Sequence, residues 1–139
     1  MEWDPGPVSL AAHRDEIDSL FAHDTLEAIF AALAGAGSDW ATAQLAILKT
    51  KSPLSMKTAL RQIRAGAAMA DFATYMAMEM RIAARIVVSR DFAEGVRAVI
   101  VDKDNAPRWS PATPEGVTDG MLDSVFAPLP VDQEWSPLA

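Results

Sequence analysis

The chain has 139 residues, half of them apolar and 22% charged, which fits one folded domain or part of one rather than a disordered segment. Its net charge of −7 argues against nucleic acid as a partner, because phosphate binding needs a basic face. The absence of cysteine excludes a disulfide framework, a thiolate metal site and a cysteine nucleophile.

No apolar run is long enough to span a bilayer, since the longest, 65–80, is broken by Asp71 and Glu79. The acidic start MEWDPGPVSL resembles neither a secretory signal nor an Arg-rich transit peptide. The expected location is therefore the cytoplasm.

Residues 1–12, rich in proline, read as a lead-in. From His13 the spacing is helical, with Ile17, Leu20 and Phe21 on one stripe. Asp24 or Thr25 caps a second helix with Leu26, Ile29, Phe30 and Leu33 inward, and the AGAG of 34–37 ends it. Ser38 or Asp39 caps a third, with Trp40, Ala43, Leu45 and Leu48 as its apolar positions. Ser52-Pro53 starts a fourth, because proline at the first helical position lacks an N–H that would go unpaired there. This helix is expected to run to about Ala65 and to stop at Gly66, with Lys57, Arg61 and Arg64 on its exposed face. A fifth spans about 71–88.

The next segment is ambiguous. Val96, Val99, Ile100 and Val101 favour a strand by propensity. Asp91 and Glu94, three apart, resemble a capping box, and Phe92, Val96, Val99 and Ile100 keep helical spacing. The spacing predicts a helix over 92–103, broken by Asn105-Ala-Pro107. A short helix is expected over 119–126 and a tail over 130–139, so the fold class is mainly α, with the helical domain over 13–129.

Chemistry-bearing residues are few. Gly35 and Gly37 form a lone GxG without the strand a phosphate cradle requires. His13 and His23 are ten apart, and a His13–Glu16 pair alone does not hold a metal. Serine, histidine and aspartate are all present, but no nucleophile elbow is. Glu79 shares the stripe of Phe72 and Ile86, so it is either a general base or a buried partner for an arginine such as Arg97. Met56, Met69, Met76, Met78 and Met80 read as core or interface filler. Lys103 closes its helix, where a cation suits the dipole. It is either a helix-end charge with its stem along the apolar rim or a point charge aimed at a ligand phosphate.

Three stretches carry a family resemblance: IDSLFAHDTLEAIFAAL (17–33), SPLSMKTALRQIRAG (52–66) and MEMRIAARIVVSRDFAEGVRAVIVDKDNAPRWSPATPEGVTD (78–119). Together they resemble the C-terminal region of the 3-hydroxyisobutyryl-CoA hydrolase family, in the enoyl-CoA hydratase/isomerase, or crotonase, superfamily. The resemblance covers about 10–129, and its specific part is the DFxEGVRAxxxDKDxxPxW pattern of 91–109.

The resemblance implies the helical C-terminal part of a crotonase-type fold, without its N-terminal β/α spiral core. It implies hydrolysis of a branched hydroxyacyl-CoA thioester in valine breakdown. The oxyanion hole and catalytic acids of such enzymes lie in the spiral core, so no catalytic residue is carried over, and neither a cofactor nor a metal is implied. Lys103 is carried over, because related hydratases use a lysine at this place to reach a phosphate of coenzyme A. The expected partners are acyl-CoA, once the chain is joined to a core, and a second subunit or a core-bearing partner. A helical dimerisation module is the alternative. An acyl-CoA-binding module is another, using Lys103 with Arg97 or Arg108.

Overall fold

The computed structural model describes residues 9–136. Among them every regular element is helical, and no strand is present. The chain divides into two compact units, 1–50 and 51–139.

In the first unit a short 3-10 turn, Ser9–His13, leads into α1 (Arg14–Leu20), followed by α2 (Leu26–Gly35) and α3 (Asp39–Leu48). The two open capping choices resolve to Thr25 and Ser38, whose side-chain oxygens accept the N–H groups of Ala28 and Ala41. A hydroxyl three residues upstream of the orphan N–H has the reach for that bond. Gly37 follows the end of α2 at φ +71°, the left-handed conformation that lets a helix stop and turn.

The apolar face of α2 buries Leu26, Ile29 and Leu33, and α3 adds Ala41. His13 stacks on Trp40 with ring centroids 4.9 Å apart, and Phe21 meets the same indole edge-on. Glu16 accepts from Ser38 Oγ and lies 3.4 Å from His13 Nδ1. The Ser38 hydroxyl holds the Glu16 carboxyl below its usual range. His13 is thus a packing residue beside an aromatic ring. Among the described residues no group of histidine and acidic side chains could hold a metal ion.

The second unit begins with α4 (Pro53–Ala67), capped by Ser52 as its Ser-Pro start predicts. Gly66 does not end this helix; it lies inside it. A Cβ at that position would stand 2.6 Å from Tyr75 Cε2, so the glycine serves close helix approach instead of chain reversal. Asp71 caps α5 (Phe72–Ile86). The carboxylate accepts both the N–H and the hydroxyl of Thr74, which lowers its pKa, the backbone bond contributing most.

Met78 and Ile82 on α5 close against Val125 of α7 (Asp119–Phe126), with Ala65, Met69, Tyr75, Ile86 and Phe126 around them. Two of the five helix-spaced methionines therefore fill the core, whereas Met80 is exposed. Arg61 lies over the Phe126 ring at 4.6 Å and pairs with Asp123 at 2.7 Å. Arg81 grips both oxygens of Glu134 at 2.8 and 3.1 Å, so the chain beyond 130 is tied to α5.

The predicted helix over 92–103 lies two residues earlier, over 90–101, and is of two kinds. α6 (Arg90–Val96) is capped by Ser89, whose hydroxyl accepts from Phe92 N. It passes into a single π turn, Arg97–Val101, closed by the bond from Asp102 N to Arg97 O at 2.8 Å. Asp91 is therefore not the cap of a box. It is 95% buried and accepts from Ser52 Oγ at 2.5 Å and Ser110 N at 2.9 Å. One carboxylate so joins the start of α4, the body of α6 and the chain leaving the π turn.

Substituting Asp91→Ala leaves the buried Ser52 hydroxyl and the part-buried Ser110 amide without their acceptor, a change worth about 1–3 kcal/mol. The urea midpoint should fall accordingly, and Asp91→Asn, which keeps one acceptor oxygen, should fall less. An unchanged midpoint for the alanine variant would show that Asp91 does not tie these segments together.

Candidate functional site

The richest array of charged groups lies at the C-terminal end of the π turn and is built on one arginine. Arg97 starts the turn, three residues after Glu94 and five and seven residues before Asp102 and Asp104. Its Nε and one Nη2 donor grip both oxygens of Glu94 at 3.0 and 2.8 Å. The Nη1 donors go to Asp102 at 2.6 Å and Asp104 at 2.8 Å. The last donor reaches the carbonyl of Ala106 at 3.3 Å. All five guanidinium donors are thereby used.

The carboxylates also bond elsewhere. Glu94 accepts the backbone N–H of Arg108 at 2.8 Å, and Asp104 caps its own turn by accepting Ala106 N at 2.9 Å. The Arg97 fork, with help from the Arg108 N–H, holds the Glu94 carboxyl down at about 2. Arg97 likewise lowers Asp104, and its own pKa is raised by the carboxylates, Glu94 first.

Lys103 sits between the two aspartates. It does not close a helix: the turn ends at Asp102, and Lys103 follows in the left-handed region at φ +55°. Asn105 is left-handed too, at φ +51°, and its N–H returns to Ala98 O at 3.0 Å. Asparagine tolerates this conformation, whereas a lysine there is uncommon. The Lys103 side chain is exposed and makes no ion pair among the described residues.

Other expected roles change. Glu79 does not pair with Arg97. It is half-buried, accepts from Gln62 Nε2 and bonds the Tyr75 hydroxyl. That bond to Glu79 raises the Tyr75 pKa, so Glu79 serves as a polar strut between α4 and α5. Phe72, expected on its buried stripe, is 74% exposed. Arg97, with every donor taken, is not a ligand-binding cation. The face of Phe92, Val96, Val99 and Ile100, expected to dock on neighbouring helices or on the core, is largely open: Val96 is half-buried, the other three are exposed, and only Ala98 of the turn is fully buried. Trp109 packs along Gly95, where a Cβ would lie 3.4 Å from the indole.

Comparison with known proteins fixes the family. The profile described as enoyl-CoA hydratase/isomerase matches residues 2–126. The chain belongs to this family. Proteins named 3-hydroxyisobutyryl-CoA hydrolase, mitochondrial, are similar to it. The one from Gallus gallus is 42% identical over 120 residues, 86% of this chain and 31% of the relative. The one from Homo sapiens is 38% identical over 120 residues, with the same coverage of each.

Among solved structures, an enoyl-CoA hydratase from Rhodobacter sphaeroides superimposes with a TM-score of 0.86 at 33% identity, covering 98% of this chain and 40% of that one. A carnitinyl-CoA dehydratase from Mycobacterium thermoresistibile gives 0.85 at 32% identity, covering 95% and 37%. The chain thus spans about a third of the length of the curated relatives it matches. The expected fold class, a helical C-terminal part of a crotonase-type fold, holds. The word mitochondrial in the relatives' names gives a cytoplasmic location no support.

Within this member of the family, the Arg97 array was partly visible in the sequence. Glu94 and Arg97 stand at helical pair spacing, and an Asp-Lys-Asp follows. Its pH dependence has a definite sign. A carboxyl depressed in the fold contributes its full stability above the ordinary carboxylate range and loses it as pH falls toward its folded value. For Glu94 that window runs from about 4.5 down to about 2. Melting temperatures between pH 5 and pH 2 should therefore fall less steeply for Glu94→Gln than for the parent chain. Parallel profiles would mean that Glu94 and Arg97 are not coupled.

Proposed function

We propose that this chain is the helical C-terminal portion of a 3-hydroxyisobutyryl-CoA hydrolase, where it helps to close the coenzyme A site and to pack subunits. The observation that carries this reading is the 42% identity to hydrolases of that name over 86% of the chain. Thioester hydrolysis needs preorganised N–H donors for the carbonyl oxygen and a group that activates water. We assign neither to a residue of this chain, so the chemistry belongs to another part of the enzyme and the chain alone is inactive.

Lys103 is the residue we assign to the substrate, as a contact to a phosphate of coenzyme A. Its exposed side chain and the absence of an ion pair among the described residues support this role. A lysine ammonium suits it because it is a compact point charge on a flexible stem.

Thiol release from 3-hydroxyisobutyryl-CoA tests the reading directly, because the chain has no cysteine to add background. Release at the buffer rate is expected for the purified chain. Release proportional to protein would show that it holds a complete active site, and Glu79 would be the first residue to substitute.

The apolar residues left open favour a second reading, a helical dimerisation module. Val99, Ile100 and Val101 are consecutive and each at least 60% exposed, and contiguous apolar surface marks interaction sites. Light scattering over a concentration series should then show mass growing from one chain toward two. A constant monomer mass would remove this reading.

A further inference from the structure

We propose that Arg97 is a positioning residue that sets the conformation and local field of Lys103, so that the ammonium is presented to a phosphate of coenzyme A. The inference rests on the assignment of Lys103 to that phosphate.

The first argument is geometric. Lys103 and Asn105 both hold left-handed backbone, a conformation that is strained for a lysine and persists only where the surroundings over-determine it. Here they do. Asp102 and Asp104 flank Lys103 and are bound to the same Arg97 Nη1 at 2.6 and 2.8 Å. Ala106 O is bound to Nη2, and Asn105 N to Ala98 O. The same guanidinium thus holds Asp102, Asp104 and Ala106 among the five residues after Val101, and Lys103, between the two aspartates, is exposed. A lysine ammonium in place of Arg97 has three donors, no planar fork and a shorter reach across them. It cannot hold Glu94, Asp102, Asp104 and Ala106 together.

The second argument is electrostatic. Without Arg97, Asp102 and Asp104 on either side of Lys103, and Glu94 with them, would be carboxylates without the cation that pairs all three, an acidic surround that repels phosphate. The guanidinium sits among all three and offsets part of that field. It spends every donor doing so, and this is why Arg97 acts through Lys103 and does not touch the ligand itself.

The test is a double-mutant cycle on the whole chain, with coenzyme A as the probe and amide chemical shifts as the readout. Lys103→Ala should weaken coenzyme A binding roughly tenfold, the loss expected for one charge-assisted hydrogen bond. Arg97→Lys, which keeps the charge, should weaken it by a similar factor, and should cost nothing further in the Lys103→Ala background. It should also abolish the strong intraresidue amide–Hα cross-peaks that positive φ gives Lys103 and Asn105.

If Lys103→Ala weakens binding but Arg97→Lys does not, the inference is overturned and the Lys103 assignment stands. If Arg97→Lys weakens both backgrounds equally, its role is structural and the inference is likewise overturned. If Arg97→Lys leaves those cross-peaks intact, the inference is overturned whether or not coenzyme A binds this chain alone; if coenzyme A binds Lys103→Ala as well as the parent chain, the Lys103 assignment fails and the inference goes with it.

Discussion

A single guanidinium organises the segment on which the functional reading depends. Arg97 can satisfy Glu94, Asp102, Asp104 and Ala106 at once because its five donors lie in one rigid plane. A π turn supplies the geometry. Five residues between bonded groups, instead of four, widen the turn from Arg97 to Val101 and bring Asp102 back to the Arg97 carbonyl. π turns often mark functional positions in helices. This one ends a helix early and throws the next residue, Lys103, into the left-handed region. The arginine lowers the pKa values of Glu94 and Asp104, and the three carboxylates hold the arginine in place.

Buried polar latches hold that segment on the second unit. Asp91 is the main one, with Ser52 on one oxygen and Ser110 N on the other. Its value lies less in the strength of the two bonds than in what removal leaves behind, since unsatisfied buried donors cost more than satisfied ones contribute. Glu79 acts in the same way between α4 and α5, through Gln62 and Tyr75. Both carboxylates are taken up by donors of this kind. The apolar side chains of 99–101 are left in solvent.

Much of the architecture was legible before any coordinates. Ser38, Ser52 and Thr118 cap where hydroxyl residues precede apolar periodicity, because capping is a bond over three residues and needs no distant partner. Ser52-Pro53 and the 119–126 helix follow from the same local rules. Errors arose where distant contacts decide. Gly66 reads as a stop, yet the ring of Tyr75 needs its missing side chain. Asp91 reads as half of a capping box, yet Ser52, 39 residues away, takes its oxygen. Arg97 is the opposite case: it reads as a partner for the distant Glu79, yet carboxylates within seven residues of it in sequence saturate it first.

The sequence by itself determined the helical class, most helix starts and the family, because periodicity, caps and a specific motif are properties of short stretches. Tertiary structure decided which polar groups meet. It took Asp91 inward, made Glu79 a strut, ended the helix at a π turn and left Lys103 outside it. The physical reason is that a carboxylate's role depends on which donors surround it. Those donors come from segments whose distance in space no local pattern records.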